Sequence, residues 1–171
     1  MSCPGYSEIL DLQETFHAPI GKFIMEFGYL EHHIDDAIKT LLLLKGKHGD
    51  AIVSQIISLR TKANIYEQLC HTLVKNESLR ADATSYAEKI KAANTFRNSL
   101  VHGPWNSFFI EERRWQKISI NPPNFKPRVF EFTVQDIIDQ TNGVVGLSAE
   151  ITNFAGSIVS IYSADRERPA S

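Results

Sequence analysis

The sequence predicts a mainly α-helical protein with one small antiparallel β-hairpin excursion ahead of its last helix. Three observations predict it. Apolar residues recur with a 3.6-residue period over most of the chain, most clearly at Phe23, Ile24, Phe27, Leu30, Ile34, Ile38 and Leu41. Between Trp105 and Phe132 the pattern changes to aromatic and β-branched residues alternating with polar ones, as in WQKISI and RVFEF. The length of 171 residues, 43% of them apolar and 22% charged, suits one domain with one core.

Taken in order, Tyr6 to Phe16 reads as a short helix within an N-terminal segment, residues 1–18. Pro19 then falls in the first turn of a long core helix, where a missing N–H is tolerated. That helix runs to the KGKHGD turn. Ala51 to Ile57 reads as a short helix and Ser58 to Val74 as another. Asn76 has the side chain of an N-cap, and Gly103 and Pro104 form a stop signal, so a further helix is expected from about Glu77 to Val101. The β excursion follows, with turn-prone NPPN inside it. Thr133 reads as the N-cap of a last helix carrying Val134, Ile137, Ile138, Val145, Ile151, Phe154, Ile158 and Ile161. The domain is expected over 19–162, with a polar tail at 163–171.

Charge narrows the function classes. Eighteen basic against twenty acidic side chains give a formal charge of −2. That is no footprint for indiscriminate grasping of duplex nucleic acid, so any nucleic-acid contact must be local. The opening run MSCPGYSEIL has no basic stretch followed by an apolar one, and the longest purely apolar run is Leu41 to Leu44, which predicts a soluble, cytoplasmic protein without membrane association. Two cysteines, Cys3 and Cys70, make neither a disulfide framework nor a zinc pattern. Neither a metal nor an organic cofactor is expected. The pair His32 and His33 with Asp35 and Asp36 reads as the wet face of a helix.

One feature conflicts with the helical pattern. On a wheel of the fourth helix the inner face reads Ala83, Tyr86, Ala87, Ile90, Ala93, Arg97 and Val101, which places an arginine in an apolar stripe. A guanidinium cannot lose its proton to escape burial, so something must compensate it. Asn94, Asn98 and His102 follow one another at i, i+4 and i+8 beside it. Glu31, on the apolar stripe of the long first helix, is expected to compensate a cation, with Arg97, Arg60 and Lys62 as the candidates. A histidine titrating near neutrality beside a fixed positive charge can move protons at a ribose 2′-OH while the arginine stabilises charge on phosphorus.

The run R-N-S-L-V-H, from Arg97 to His102, resembles the R-x4–6-H motif of the HEPN superfamily. GYLEHHIDDAI and SLRTKANIYEQL resemble segments at comparable places in such domains. The resemblance implies an up-and-down helical bundle, a homodimer with two motifs facing each other, and, in active members, metal-independent endoribonuclease chemistry. It assigns catalytic roles to Arg97, Asn98 and His102. It also suggests an effector of a toxin–antitoxin or phage-defence pair, with a cognate antitoxin as partner. The rival expectations are a non-catalytic dimeric binding or scaffold module, and an immunity or adaptor protein sharing the bundle.

A second local feature bears on substrate. Arg113, Arg114, Lys117, Lys126 and Arg128 occur without an acid among them, interleaved with Trp115 and Phe125. Such a patch can contact phosphates and stack unpaired bases of RNA. A solvated hairpin whose aromatics serve its own packing has the same composition.

Overall fold

The computed structural model describes residues 6–44, 46–102, 105–109, 114–121 and 126–167, with side chains left undescribed at 6–13, at 165–167 and in most of the strand region up to 128. The chain is mainly helical. In order it forms α1 (Tyr6–Leu41), α2 (Gly46–Val53), α3 (Leu59–Leu73), α4 (Glu77–Val101), β1 (Trp105–Phe109), β2 (Arg114–Asn121), β3 (Lys126–Thr133) and α5 (Val134–Glu167). It divides into two compact units, Met1–Phe27 with Thr95–Gly143, and Gly28–Asn94 with Val144–Ser171.

Helix α1 differs from the expectation of a short helix followed by a break. It runs unbroken for 36 residues with Pro19 inside it. The proline ring removes one N–H and crowds the preceding turn. Phe16 and Phe23, two turns apart on either side of it, are 2% and 0% exposed, so one continuous buried stripe outweighs the local defect.

In the first unit the core is a run of phenylalanines. Phe23 meets Phe27 at 6.0 Å between ring centroids and meets Phe96 edge-on at 5.1 Å, and Phe96 meets Phe132 edge-on at 5.5 Å. Edge-to-face pairs contribute about 0.5–1.5 kcal/mol each beyond the area they bury. Leu100 and Ile137 complete this core. The three strands form an antiparallel sheet in the order β1-β2-β3, a meander rather than a simple hairpin, with an irregularity between Trp105 and Ser107. At its exit Thr133 and Asp136 cap α5 reciprocally. The Asp136 N–H donates to Thr133 Oγ1 at 3.1 Å and the Thr133 N–H to Asp136 Oδ2 at 2.7 Å.

In the second unit Ile34, Ile38, Tyr66, Cys70, Ala83, Ala87, Ile90, Ile151 and Ile158 are buried. Ser58 caps α3 and Asn76 caps α4, the latter accepting from the N–H groups of Ser78 at 2.9 Å and Leu79 at 3.2 Å. Helix α2 lies earlier than the expected Ala51 to Ile57. Gly49, read as part of a turn, sits inside it. A Cβ there would lie 3.1 Å from the Leu44 Cβ and 3.3 Å from Lys39 Cδ, so any larger residue would require those side chains to give by a few tenths of an ångström where α2 meets the end of α1. Lys39 holds the same junction by ion pairs to Asp36 and to Asp50, the latter at 2.8 Å.

The buried face of α4 also differs from its wheel. Ala83, Ala87, Ile90 and Ala93 are inside as expected, but in the last two turns the buried residue is Leu100, while Val101 is 37% exposed. Arg97 is half-buried at the edge of that face. One helix, over Val134–Ala164, is apolar and long enough by composition to cross a bilayer, with a mean hydropathy of 1.4. That is weak support for a span, because the core helix of a soluble domain passes the same test. Ile137, Val144, Ile151, Ala155 and Ile158 are buried within the protein.

Candidate active site at the end of α4

The site is built by the last turns of α4. Phe96 is clamped between Phe23 and Phe132, and Leu100 is 1% exposed, so the rotation of the helix about its axis is set by apolar contacts. That rotation turns Arg97, Asn98 and His102 away from the core. The His102 N–H donates to the Asn98 carbonyl at 3.1 Å, which ties the residue after the helix to its last turn.

The three side chains named by the motif come together. Arg97 Nη1 donates to Asn98 Oδ1 at 3.2 Å and lies 3.4 Å from His102 Nε2. Guanidinium nitrogens only donate, so this contact is a hydrogen bond when Nε2 offers its lone pair. The Arg97 guanidinium carbon also lies 5.9 Å from the centre of the Phe27 ring, within cation–π range. Among the described residues no carboxylate lies within ion-pair distance of Arg97. Its charge is oriented by an amide, an imidazole and a ring face, none of which cancels it. The C-terminal end of a helix favours such positive groups.

The expectation for Glu31 is overturned. Glu31 is exposed, and no basic group among the described residues pairs with it. Leu30, one position earlier, takes the buried place between Phe27 and Ile34, because an apolar side chain is buried without the desolvation penalty of a carboxylate. Lys62, one of the cations expected for Glu31, pairs instead with Asp35.

The basic patch fares differently. Arg114, Trp115 and Lys117 belong to β2 and Lys126 and Arg128 to β3, with Trp115 opposite Phe132, Lys117 opposite Phe130, Ser119 opposite Arg128 and Asn121 opposite Lys126. Their side chains, and Arg113 and Phe125 entirely, lie outside the described residues. Among the described residues no group of three or more His, Cys, Asp or Glu side chains is placed to hold a metal ion. His32 pairs instead with Asp36 at 3.3 Å, and His33 Nδ1 lies 3.2 Å from Thr152 Oγ1.

Sequence reasoning missed Phe27 and Phe96 as parts of the site. Both read as ordinary core positions, and only the direction of the Arg97 side chain reveals the second role of Phe27. No protein-family profile, curated protein or solved structure matches the chain.

Proposed function

We propose that the protein is a metal-independent endoribonuclease of the HEPN type, acting in the cytoplasm as an effector of a toxin–antitoxin or phage-defence pair. The observation that carries the reading is the uncancelled Arg97 guanidinium held within hydrogen-bond reach of Asn98 and His102. A phosphodiester brought to this corner meets a fixed positive charge, an amide and an imidazole on one short stretch of helix. His102 takes the proton of the ribose 2′-OH or returns one to the leaving 5′-oxygen, and Arg97 stabilises the charge gathering on the phosphoryl oxygens. The products are a 2′,3′-cyclic phosphate and a 5′-OH. Two copies of the corner facing one another supply acid and base from different chains. The basic strand segment from Arg113 to Arg128 would hold the flanking RNA.

The test is cleavage of single-stranded RNA by the native chain and by His102→Ala, with and without chelator. The reading expects chelator-resistant cleavage that the substitution removes. A second reading, a non-catalytic RNA-binding module, is favoured by one observation: Nε2 of His102 is already engaged by Arg97 at 3.4 Å rather than free to accept a substrate proton. Binding of RNA without cleavage by either form would select it.

A further inference from the structure

Helix α1 ends in a hydrogen-bond pattern that a glycine normally closes. The Leu43 N–H donates to the Thr40 carbonyl at 3.0 Å and the Leu44 N–H to the Lys39 carbonyl at 2.9 Å, so Leu43 takes the left-handed position just beyond the helix. Among the described residues it alone, glycine apart, has a positive φ, 55°. A Cβ is strained there, and the side chain that carries it is 58% exposed, so glycine would serve the isolated chain better. Leu43 has apolar company. Asp35 of α1 pairs with Lys62 in the first turn of α3, and Lys39 holds Asp50 of α2, which brings the end of α1, α2 and the start of α3 to one end of the second unit. At that end Leu42 is 40%, Ile52 53% and Ile57 94% exposed. Ile57 projects almost wholly into solvent, so this apolar surface is knobbed rather than grooved.

The same end is positively charged. From Lys39 to Lys62 the sequence has five cations and one acid, against thirteen cations and nineteen acids in the rest of the chain. The acids near this end are already matched, Asp35 by Lys62 and both Asp36 and Asp50 by Lys39. Lys47 and Arg60 are exposed and meet no acid among the described residues. RNA has little use for aliphatic knobs, since unpaired bases are held by ring faces and guanidinium planes. A protein partner would need a pocket shaped for each knob. A fluid headgroup layer opens around any apolar side chain, gains with the area buried, and attracts Lys and Arg to its phosphates. We propose that this end of the second unit docks on the surface of an anionic lipid bilayer, with Leu42, Leu43, Ile52 and Ile57 entering the headgroup layer and Lys47 and Arg60 meeting lipid phosphates. Such a contact is peripheral and needs no long apolar run. It uses no residue of the Arg97 corner and does not rest on the ribonuclease reading.

The test is sedimentation of the full chain with vesicles of an equal mixture of phosphatidylglycerol and phosphatidylcholine, and with vesicles of phosphatidylcholine alone. Binding is expected to the mixed vesicles, weakening as salt is raised, and little to the neutral ones. Leu43→Gly is expected to weaken that binding about tenfold, the order set by withdrawing one leucine from an apolar contact, while raising the thermal unfolding midpoint by about 2–4 °C as the left-handed position is relieved. A variant that folds better and binds worse separates docking from folding. Ile57→Ser is expected to lose a similar factor with the midpoint unchanged, and Lys47→Glu to weaken binding to the mixed vesicles. Val145→Ser, at a 47% exposed position of α5, is expected to change nothing. No binding to the mixed vesicles, the outcome that a protein partner for this end would give, overturns the proposal. So does equal binding to neutral vesicles, a midpoint lowered by Leu43→Gly, or a loss caused by Val145→Ser in place of Leu43→Gly and Ile57→Ser.

Discussion

Arg80 and Arg97 are both half-buried cations of α4, and the helix treats them in opposite ways. Arg80 Nε donates to the Val74 carbonyl at 2.9 Å, its Nη2 donates to the His71 carbonyl at 3.1 Å, and Glu77 lies 3.6 Å from its Nη1. The same region continues as a paired network. Thr84 donates to Glu67 at 2.8 Å, and Lys91 lies 3.6 Å from Glu67 and 2.9 Å from Glu88. Among the described residues Arg97 meets no acid and no carbonyl, only an amide, an imidazole and a ring. A cation whose donors end on the protein's own acceptors holds the fold together. One whose charge is left standing is available to an anion from outside.

The sharpest way to break this comparison is at the second cation. His102→Ala is expected to lower RNA cleavage by about 10²–10⁴-fold, the usual weight of one general acid–base group, with the unfolding midpoint unchanged. Arg97→Lys should lose most activity as well, because a point-like ammonium does not reproduce the planar fork on a phosphate. Next in size, Arg80→Met should lower stability in urea melts by about 1–3 kcal/mol, since it leaves two carbonyls of the α3–α4 turn without their donor, and should leave cleavage alone. A smaller effect is expected at the α1–α2 junction. Burial pushes the Asp36 carboxyl up, but the hydrogen bond from Lys39 and the charges of His32, Lys39 and His33 outweigh it and hold it below its ordinary 3.8. Lys39 is raised above 10.5, chiefly by its hydrogen bonds to Asp36 and Asp50. A lowered acid gives stability that is lost as pH falls through the acid range, and a raised base gives stability that is lost as pH climbs past 10.5. Lys39→Met should therefore cost about 0.2–1 kcal/mol at neutral pH, with the difference from native shrinking only as pH falls below the ordinary 3.8 of the Asp36 carboxyl. The smallest effect is the counterpart of Arg80→Met. Arg97→Met should change stability by less than about 0.5 kcal/mol, because no ion pair among the described residues is broken.

What was legible in the sequence follows from the same physics. The bounds of α4 were readable because Asn76 caps it by ordinary side-chain chemistry. Thr133 announced α5 for the same reason. The motif residues were readable as a group because they share one short stretch of helix, whose local geometry the spacing already dictates. The choice between neighbouring positions was not readable. A period of 3.6 leaves i+3 and i+4 nearly equivalent, and packing decides between them, taking Leu30 over Glu31 and Leu100 over Val101. Pro19 and Gly49 misled for a related reason. Each is a local helix breaker, and each sits inside a helix because contacts distant in sequence outweigh its local preference.

Cys70 is 0% exposed beside Tyr66, and burial pushes its thiol up to about 12 and the Tyr66 phenol well above its ordinary range. Thiolate is the reactive form, so the folded protein keeps this sulfur silent toward alkylating reagents. With Cys3 replaced, every molecule that does become labelled has first opened the unit built from α3 and α4. The rate of that labelling becomes a native-condition clock for breathing of the core, carried by the protein itself and readable by mass alone.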